Sequence, residues 1–577
     1  MLKDATNHTQ TRYVSYEKKS VTNQKQKMKN KTGMIIILLF IAGDVFGQTK
    51  LSENQLKKLD SIATQDVPKN APGIATAIIK KGNLIFEKYV GIADFKDSLK
   101  IDKNTRFNIA SNGKQFTALA ILTLEDENKI KLSDDIRQYL PELYPKIKAK
   151  ITIGNLLNHT SGIRDVYDLW SLKGITWWEQ SFDNNDVLEL VKKQAELNFE
   201  PSTKYLYSNT NYILLATIVE KISGKPFKEY TDGIFQKLNM TNTSFEADYS
   251  QIDGKIARAY FNFDTWTTYD WIWNVVGDGN IFSTLTDQIQ WEKTIQGYGN
   301  SEINHNIIQK SQELVNQDIN DNYGFGLEFG DYKNLSYKFH EGATGAWKAT
   351  VIRFSKDRIS MLTLTNTGKS IPSMQTRQMA DVVFDLKNNK EYLVTKPAKI
   401  GIYVSEDEII GTYITPNNFT FEFLKKDDNK LYLKRIGRND VELIREADNV
   451  FNQKFDKDFK QEFIQNDSGE MEVTAYYVSH SPYTLTRKKS DWENYDYQAL
   501  NGKYNNLETD VNIEISHLTN KDYKVLIGEQ ENSGLLIAPT KLMVNNYVLE
   551  FEKESKNVKT LSLNSDRIRG VNFERLN

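Results

Sequence analysis

The chain has 577 residues, of which 39% are hydrophobic, 11% aromatic and 26% charged; it is too long for one core and too apolar for a disordered chain, so about three or four globular units are expected. Its 74 basic and 76 acidic side chains nearly cancel, which excludes the strongly basic field that nucleic acid or an anionic membrane surface selects. Cysteine is absent, which excludes disulfides, thiolate metal sites, cysteine nucleophiles and a lipid-modified cysteine anchor, so a nucleophile must be an oxygen.

The first expected element is a targeting segment. Lys25, Lys27, Lys29 and Lys31 precede an apolar run from Met34 to Ala42, and Asp44-Val45-Phe46-Gly47-Gln48 follows. The run is about half of the roughly 20 residues that span a bilayer, and Asp44 interrupts it. It resembles a cleaved signal peptide over about 34–47, which predicts a periplasmic or secreted protein. An uncleaved anchor is the alternative and the only membrane contact expected. Residues 1–27 form a long polar leader, and Met28 would give such a signal a more ordinary start.

Residues 48–395 read as mixed helix and sheet. Ser52-x-x-Gln55 is a capping-box signature ahead of an apolar helical face made by Leu56, Leu59, Ile62 and Ala63. Gly73–Ile79 and Asn83–Ile92, joined by Lys80-Lys81-Gly82, predict a hairpin. Further helices are expected at Phe116–Leu124, at Ile213–Ile222 closed by Gly224, and at Met374–Leu386, with strands at Tyr323–Phe329 and Ala349–Thr365. Beyond residue 400 the pattern changes to short alternating strands with turn signals, and it repeats. Gly411-Thr412-Tyr413 recurs as Gly502-Lys503-Tyr504, 91 positions later, and Leu485-Thr486-Arg487 corresponds to Phe573-Glu574-Arg575. Two small all-β modules, 400–488 and 499–577, are expected, each the size of an up-and-down, lipocalin-like barrel. The stretches 387–399 and 488–498 are the expected linkers.

Ser111-Asn112-Gly113-Lys114 opens the apolar helix, and residues three apart share a helical face, so the lysine amine can reach the serine hydroxyl. Serine needs such a base, and lysine serves if its pKa is lowered. The spacing alone decides little, because Ser15-Tyr16-Glu17-Lys18 repeats it in the leader. Order is more telling. Tyr207-Ser208-Asn209 precedes a helix starting near Thr210, and His340-Glu341-Gly342 lies at the start of a glycine-rich turn into the strand 349–365. Tyr332-Lys333-Asn334, Tyr504-Asn505-Asn506 and Lys31-Thr32-Gly33 mimic the second or third pattern out of order.

These three elements, in this order, resemble the Ser-x-x-Lys, Tyr-x-Asn and His-x-Gly elements of the penicillin-binding-protein and class C β-lactamase superfamily of serine hydrolases. Ile151–Gly162 and Gly277–Thr284 resemble the loops ahead of its second and third motifs, and the similarity covers about residues 50–390. It implies an α+β, β-lactamase/transpeptidase-like domain, an antiparallel sheet covered by helices, with no cofactor and no metal. Ser111 would form an acyl-enzyme and Lys114 and Tyr207 would shuttle its proton, with tyrosine as general base at the leaving group. Asn209 would hold a substrate amide and tie down Lys114. The N–H groups of Ser111 and Ala343 would form the oxyanion hole, and His340 would complete a polar floor. Gly342 would let substrate approach the backbone, and His159 would support the site.

Histidine at position 340 replaces a lysine's permanent charge and is mostly neutral at neutral pH. This weakens carboxylate binding, and a carboxylate at Glu341 would add repulsion. A small peptide, amide or ester substrate is therefore expected before a β-lactam, and no class A general-base glutamate can be placed. The layout is similar to D-aminopeptidases of the superfamily, in which barrels limit access. A penicillin-recognising or peptidoglycan-peptide-binding protein with little turnover is the alternative. Barrels with a wide apolar lumen would instead bind lipid. Oligomeric state is left open.

Overall fold

The computed structural model describes residues 50–576 except 177, 262–264, 316–317, 334, 387–401, 417–418, 435–438, 456–458, 477–481, 491 and 555–556. The leader and signal expected over 1–47 and the linker expected over 387–399 lie outside the described residues. Thr49–Asn577 make up one compact unit.

Helix α1 (Glu53–Thr64) starts at the expected capping box, in which Ser52 Oγ accepts from Gln55 N and the Gln55 side chain accepts from Ser52 N. The hairpin follows as β1 (Ile74–Lys80) and β2 (Asn83–Val90), turned by Lys81 and Gly82 in left-handed conformation (φ 48° and 74°), the pair that matches strand twist in a two-residue turn. Strands β3 (Glu328–Tyr332), β4 (Leu335–Thr344), β5 (Trp347–Phe354) and β6 (Ile359–Thr365) complete a six-stranded antiparallel sheet of order β2-β1-β6-β5-β4-β3.

Both faces of β1 are covered. Ile74 and Ile78 pack with Leu59, Ala63, Met379 and Ala380 of α1 and the C-terminal helix Pro372–Val383, while Ala75, Ala77 and Ile79 join the main core with Phe116 and Trp291. That alternation explains why the strand is apolar at nearly every position rather than at every second one.

Three expectations change. The strand expected over 349–365 is two, because the polar quartet Ser355-Lys356-Asp357-Arg358 turns the chain, with Asp357 N donating to Phe354 O at 3.1 Å. The strand expected over 323–329 begins only at Glu328. Ahead of it Gly326 (φ 73°) lies so close to the helix Lys114–Asp126 that a Cβ would sit 2.4 Å from Gln115 N, so this segment is a turn wedged on that helix. His340-Glu341-Gly342 is inside β4, and the turn comes after Thr344.

Two closed barrels of eight described strands follow, the first running from Gly411–Ile414 to Tyr483–Lys488 and the second from Gly502–Asn506 to Val571–Arg575. The repeat in the sequence is their closure. A Cβ on Gly411 would sit 2.9 Å from Arg487 Nε, and one on Gly502 would sit 3.0 Å from Arg575 Nε. Each arginine crosses its glycine to bond a carbonyl, Glu408 O and Asn501 O respectively. Side chains fill both interiors: Tyr413, Phe423 and Phe463 meet edge-on in the first, at 5.2 and 5.1 Å between centroids, and Tyr504, Tyr523, Phe551 and Phe573 are buried in the second. Among the described residues the wide apolar lumen of a lipid carrier is absent. The described part of 488–498 is packed rather than a free linker: Trp492 lies 5.4 Å from Tyr495, whose hydroxyl donates to Pro539 O at 2.6 Å.

Candidate active site

Ser111 lies on a 3-10 turn, Ala110–Gly113, and the helix expected to open at Ser111 begins only at Lys114, as α2 (Lys114–Asp126). Ala110 has φ 47°, a left-handed conformation that costs a non-glycine residue about 1–3 kcal/mol. It is held on both sides: Ala110 N donates to Asn108 Oδ1 at 2.9 Å, and Asn112 Nδ2 donates to Ala349 O at 3.0 Å. The strained turn projects Ser111 Oγ to within 2.9 Å of Lys114 Nζ and 3.1 Å of the Tyr207 hydroxyl.

Lys114 is fully buried, and its Nζ also donates to Asn209 Oδ1 at 2.9 Å and to Asp278 O at 2.6 Å. Burial is the main force pulling its pKa down, to about 8; the Arg567 charge adds to it, and Asp278 and Asp165 oppose it. Burial pushes the Tyr207 phenol well above its ordinary value, against the Arg567 charge and the bond to Ser111.

Tyr207 and Asn209 are set by two supports. Asn209 is the first residue of its helix (Asn209–Ser223), and Asp165 Oδ2 accepts from both its N, at 2.6 Å, and its Nδ2, at 3.0 Å. The amide oxygen is thereby turned to Lys114. The other carboxylate oxygen of Asp165 caps the helix Val166–Leu172. His159 Nδ1 faces Ser208 N at 3.2 Å and Asn211 Nδ2 at 3.1 Å, and its ring lies 4.3 Å from that of Tyr207. Burial first, then the Lys114 charge, holds His159 well below the ordinary histidine range, so it is a neutral prop.

His340 is buried, with Nδ1 2.7 Å from Glu341 O and Nε2 3.0 Å from the Tyr323 hydroxyl. A carbonyl only accepts, so Nδ1 carries the proton and Nε2 accepts from Tyr323. Burial, helped by the Lys114 charge, lowers its pKa to about 3, and the ring carries no charge at neutral pH. Glu341 pairs with Arg377 at 3.2 Å. Gly342 is required for a reason beyond the one expected. A Cβ there would sit 2.3 Å from Ile109 O and 3.0 Å from Ser111 N, so the crowding comes from the Ser111 turn itself. The same approach brings Ser111 N next to the Gly342-Ala343 backbone.

Ser111, Tyr207, Asn209, His340, Gly342 and Ala343 all line one cavity of about 870 Å³, with Lys114 behind its wall. Trp170, Trp271 and Trp273 supply an apolar side. The second barrel supplies another: Arg567, in the loop between its last two strands, holds its guanidinium 5.1 Å over the Tyr207 ring. That loop is docked by Arg164, which donates to Arg569 O at 3.2 Å and Gly570 O at 2.9 Å and pairs with Glu508 at 3.0 Å.

Asp165, Asp278, Tyr323 and Arg567 escaped the sequence reading. Asp165 reads as an ordinary N-cap before Val166. Asp278 acts through its backbone oxygen, and Arg567 lies in the other domain, so neither has a local signature. Tyr323 was absorbed into an expected strand.

The Beta-lactamase family profile matches residues 59–384. Protein flp of Staphylococcus aureus (strain N315) is 34% identical over 203 residues, 34% of this chain and 40% of that protein. The D-aminopeptidase of Brucella anthropi is 25% identical over 324 residues, 54% of this chain and 60% of that protein, so the chain spans between 40% and 60% of the length of these relatives. The octameric penicillin-binding protein homologue from Pyrococcus abyssi shares the fold with a TM-score of 0.53 at 21% identity, over 75% of this chain and 99% of that one.

Proposed function

This chain belongs to the Beta-lactamase family, and from that premise we propose that it is an exported serine hydrolase that forms an acyl-enzyme on Ser111 and cleaves a peptide, amide or ester bond. The observation that carries the reading is the double contact on Ser111 Oγ, from Lys114 Nζ at 2.9 Å and the Tyr207 hydroxyl at 3.1 Å.

Proton bookkeeping supports it. Asn209 Oδ1 and Asp278 O accept two N–H bonds from Lys114, so a neutral amine has its lone pair left for the Ser111 proton. With Lys114 lowered and Tyr207 raised, the lysine amine is neutral over more of the pH range and free to take the Ser111 proton, while Tyr207 stays a phenol that can pass a proton on to the leaving group as it regains one from the Lys114 side. The oxyanion falls to the N–H groups of Ser111 and Ala343. Asn209 offers its amide to substrate, and His340 and Gly342 form the floor.

A neutral His340 leaves the third motif without a cation, which argues against a true β-lactamase. The relative named D-aminopeptidase favours amide or peptide substrates of that kind, or esters. Filled, lipocalin-sized barrels suit a role in shaping access more than in carrying lipid. The alternative, a penicillin-recognising or peptidoglycan-peptide-binding protein, differs in deacylation rate. Incubation with a fluorophosphonate or fluorescent penicillin, followed by intact-mass analysis, tests both: wild type should gain one adduct and Ser111→Ala none. Equal labelling of the two would overturn the assignment, and a penicillin adduct stable for hours would favour the binder.

A further inference from the structure

We propose that Arg567, carried into the cavity by the second barrel, binds a carboxylate of the substrate and makes this site selective for anionic amides or esters; this deepens the hydrolase reading above and rests on it. The other cations around the cavity are engaged. Lys114 has three acceptors, Lys348 donates to Gly368 O at 2.8 Å and Ser370 O at 3.1 Å, and Arg377 pairs with Glu341. The Arg567 guanidinium has no hydrogen bond and no ion pair among the described residues. Asp165, Asp168 and Asp566 stabilise its charge from beyond contact distance.

The loop around it is fixed by its backbone and neighbours. Arg567 O accepts from Asn198 Nδ2 at 3.1 Å, Arg569 N donates to Asn198 Oδ1 at 2.7 Å, and Ser565 Oγ donates to Asp168 at 2.6 Å. A preorganised planar fork of donors fits a carboxylate two-pronged. The fork lies 5.1 Å over the ring whose hydroxyl touches Ser111 Oγ, which places a bound anion close to the reacting carbonyl. Of the acidic wall residues, Glu341 pairs with Arg377, Glu328 is pushed by burial to about 7, and Asp278 is pushed by burial to about 6 with the Lys114 charge opposing the shift, so Glu328 repels an anion only weakly near neutral pH and the Lys114 charge offsets that of Asp278. Arg567 thereby provides the charge that His340 does not.

Two substrate pairs test this on the full chain, each differing by one carboxylate: 4-nitrophenyl hydrogen glutarate against 4-nitrophenyl butyrate on the acyl side, and 3-carboxyphenyl acetate against phenyl acetate on the leaving side. The readout is the ratio of kcat/KM within a pair, so a general effect of Arg567 on Tyr207 cancels. Wild type should favour the anionic member of one pair by about tenfold or more. Arg567→Gln should bring that ratio near unity, and Arg567→Lys, which keeps charge without the fork, should fall between. Calorimetric binding of N-acetyl-D-alanine and its amide to Ser111→Ala, with and without Arg567→Gln, reads the same discrimination without turnover. A ratio near unity in wild type, a ratio that survives Arg567→Gln, or an equal loss for both members would overturn the proposal. Discrimination in binding with no hydrolysis would overturn the hydrolase reading and keep the anion site; hydrolysis with no discrimination would do the reverse.

Discussion

Asp165→Asn keeps the side chain's size and its ability to cap a helix but removes one of two acceptor oxygens. At present Oδ2 takes Asn209 N at 2.6 Å and Nδ2 at 3.0 Å, while Oδ1 takes Tyr167 N at 2.9 Å and Asp168 N at 3.3 Å. An asparagine must turn its NH2 toward one of these pairs of donors. If its oxygen stays on the cap, Asn209 loses bonds to a charged acceptor worth about 1.5–3 kcal/mol each, and its amide is free to rotate away from Lys114. Losing the orientation that one such bond supplies corresponds to about a ten- to hundredfold fall in kcat/KM. The charge has a second effect. Asp165 helps hold the Lys114 pKa up, so its loss lets that pKa fall further below about 8. Turnover that needs neutral Lys114 should then show a lower plateau and an acid limb displaced to lower pH. A kcat/KM profile from about pH 5 to 10 on an activated ester, with thermal unfolding measured alongside, checks both. An unchanged plateau, or a limb that stays put or moves to higher pH, would refute the assignment of Lys114 as base and Asp165 as its support.

Tyr207→Phe keeps the ring packed 4.3 Å from His159 and loses the hydroxyl. Anilide hydrolysis should fall about 10²–10⁴-fold and nitrophenyl-ester hydrolysis far less, because nitrophenolate leaves unprotonated; equal losses would take proton delivery away from Tyr207. His340 is neutral in the fold down to about pH 3, whereas an unfolded histidine titrates near pH 6.5. Acidification below that value protonates the unfolded chain first, so stability falls with pH by up to about 1.4 kcal/mol per unit; His340→Gln should flatten the urea midpoint against pH in this window, and an unchanged slope would show that the buried ring protonates in place. Gly342→Ala puts a methyl 2.3 Å from Ile109 O and 3.0 Å from Ser111 N. A loss of about 1–3 kcal/mol and slower fluorophosphonate labelling are expected, and wild-type melting and labelling would mean that strand and turn can part freely.

The residues that meet at Ser111 were legible where their signal is local. Ser111 with Lys114, and Tyr207 with Asn209, are each a pair within one short segment, and their order along the chain restricts the fold. The barrels were legible because each glycine, tyrosine and arginine of the repeat has a local job at the closing seam. What escaped is contact between distant parts. Ser355-Lys356-Asp357-Arg358 was read through because the apolar runs on either side, Val351–Phe354 and Ile359–Thr365, look continuous until hydrogen bonding folds one onto the other. The need for Gly342 is visible in the sequence, but one cause of it, a turn more than two hundred positions away, is not. Ser15 and Lys18 have the same spacing as Ser111 and Lys114; what gives the second pair its chemistry is a buried amine between two carbonyl oxygens.

Arg164 and Asp165 are consecutive and face opposite ways. Arg164, only 2% exposed, is held by Glu508, Arg569 O and Gly570 O of the second barrel, while Asp165 holds Asn209 and, through it, the amine of Lys114. Adjacent Cα atoms are fixed at about 3.8 Å, so neither can shift by an ångström without moving the other. Asn198 closes the same joint, with its amide bonded to Arg567 O and Arg569 N. The second barrel therefore bears on the surroundings of Ser111 twice, directly through the Arg567 charge that helps depress Lys114, and mechanically through the backbone of residues 164–165. The part of the chain that matches the family profile contains Ser111, Lys114 and Tyr207, but the barrel holds one face of the loop that sets their geometry.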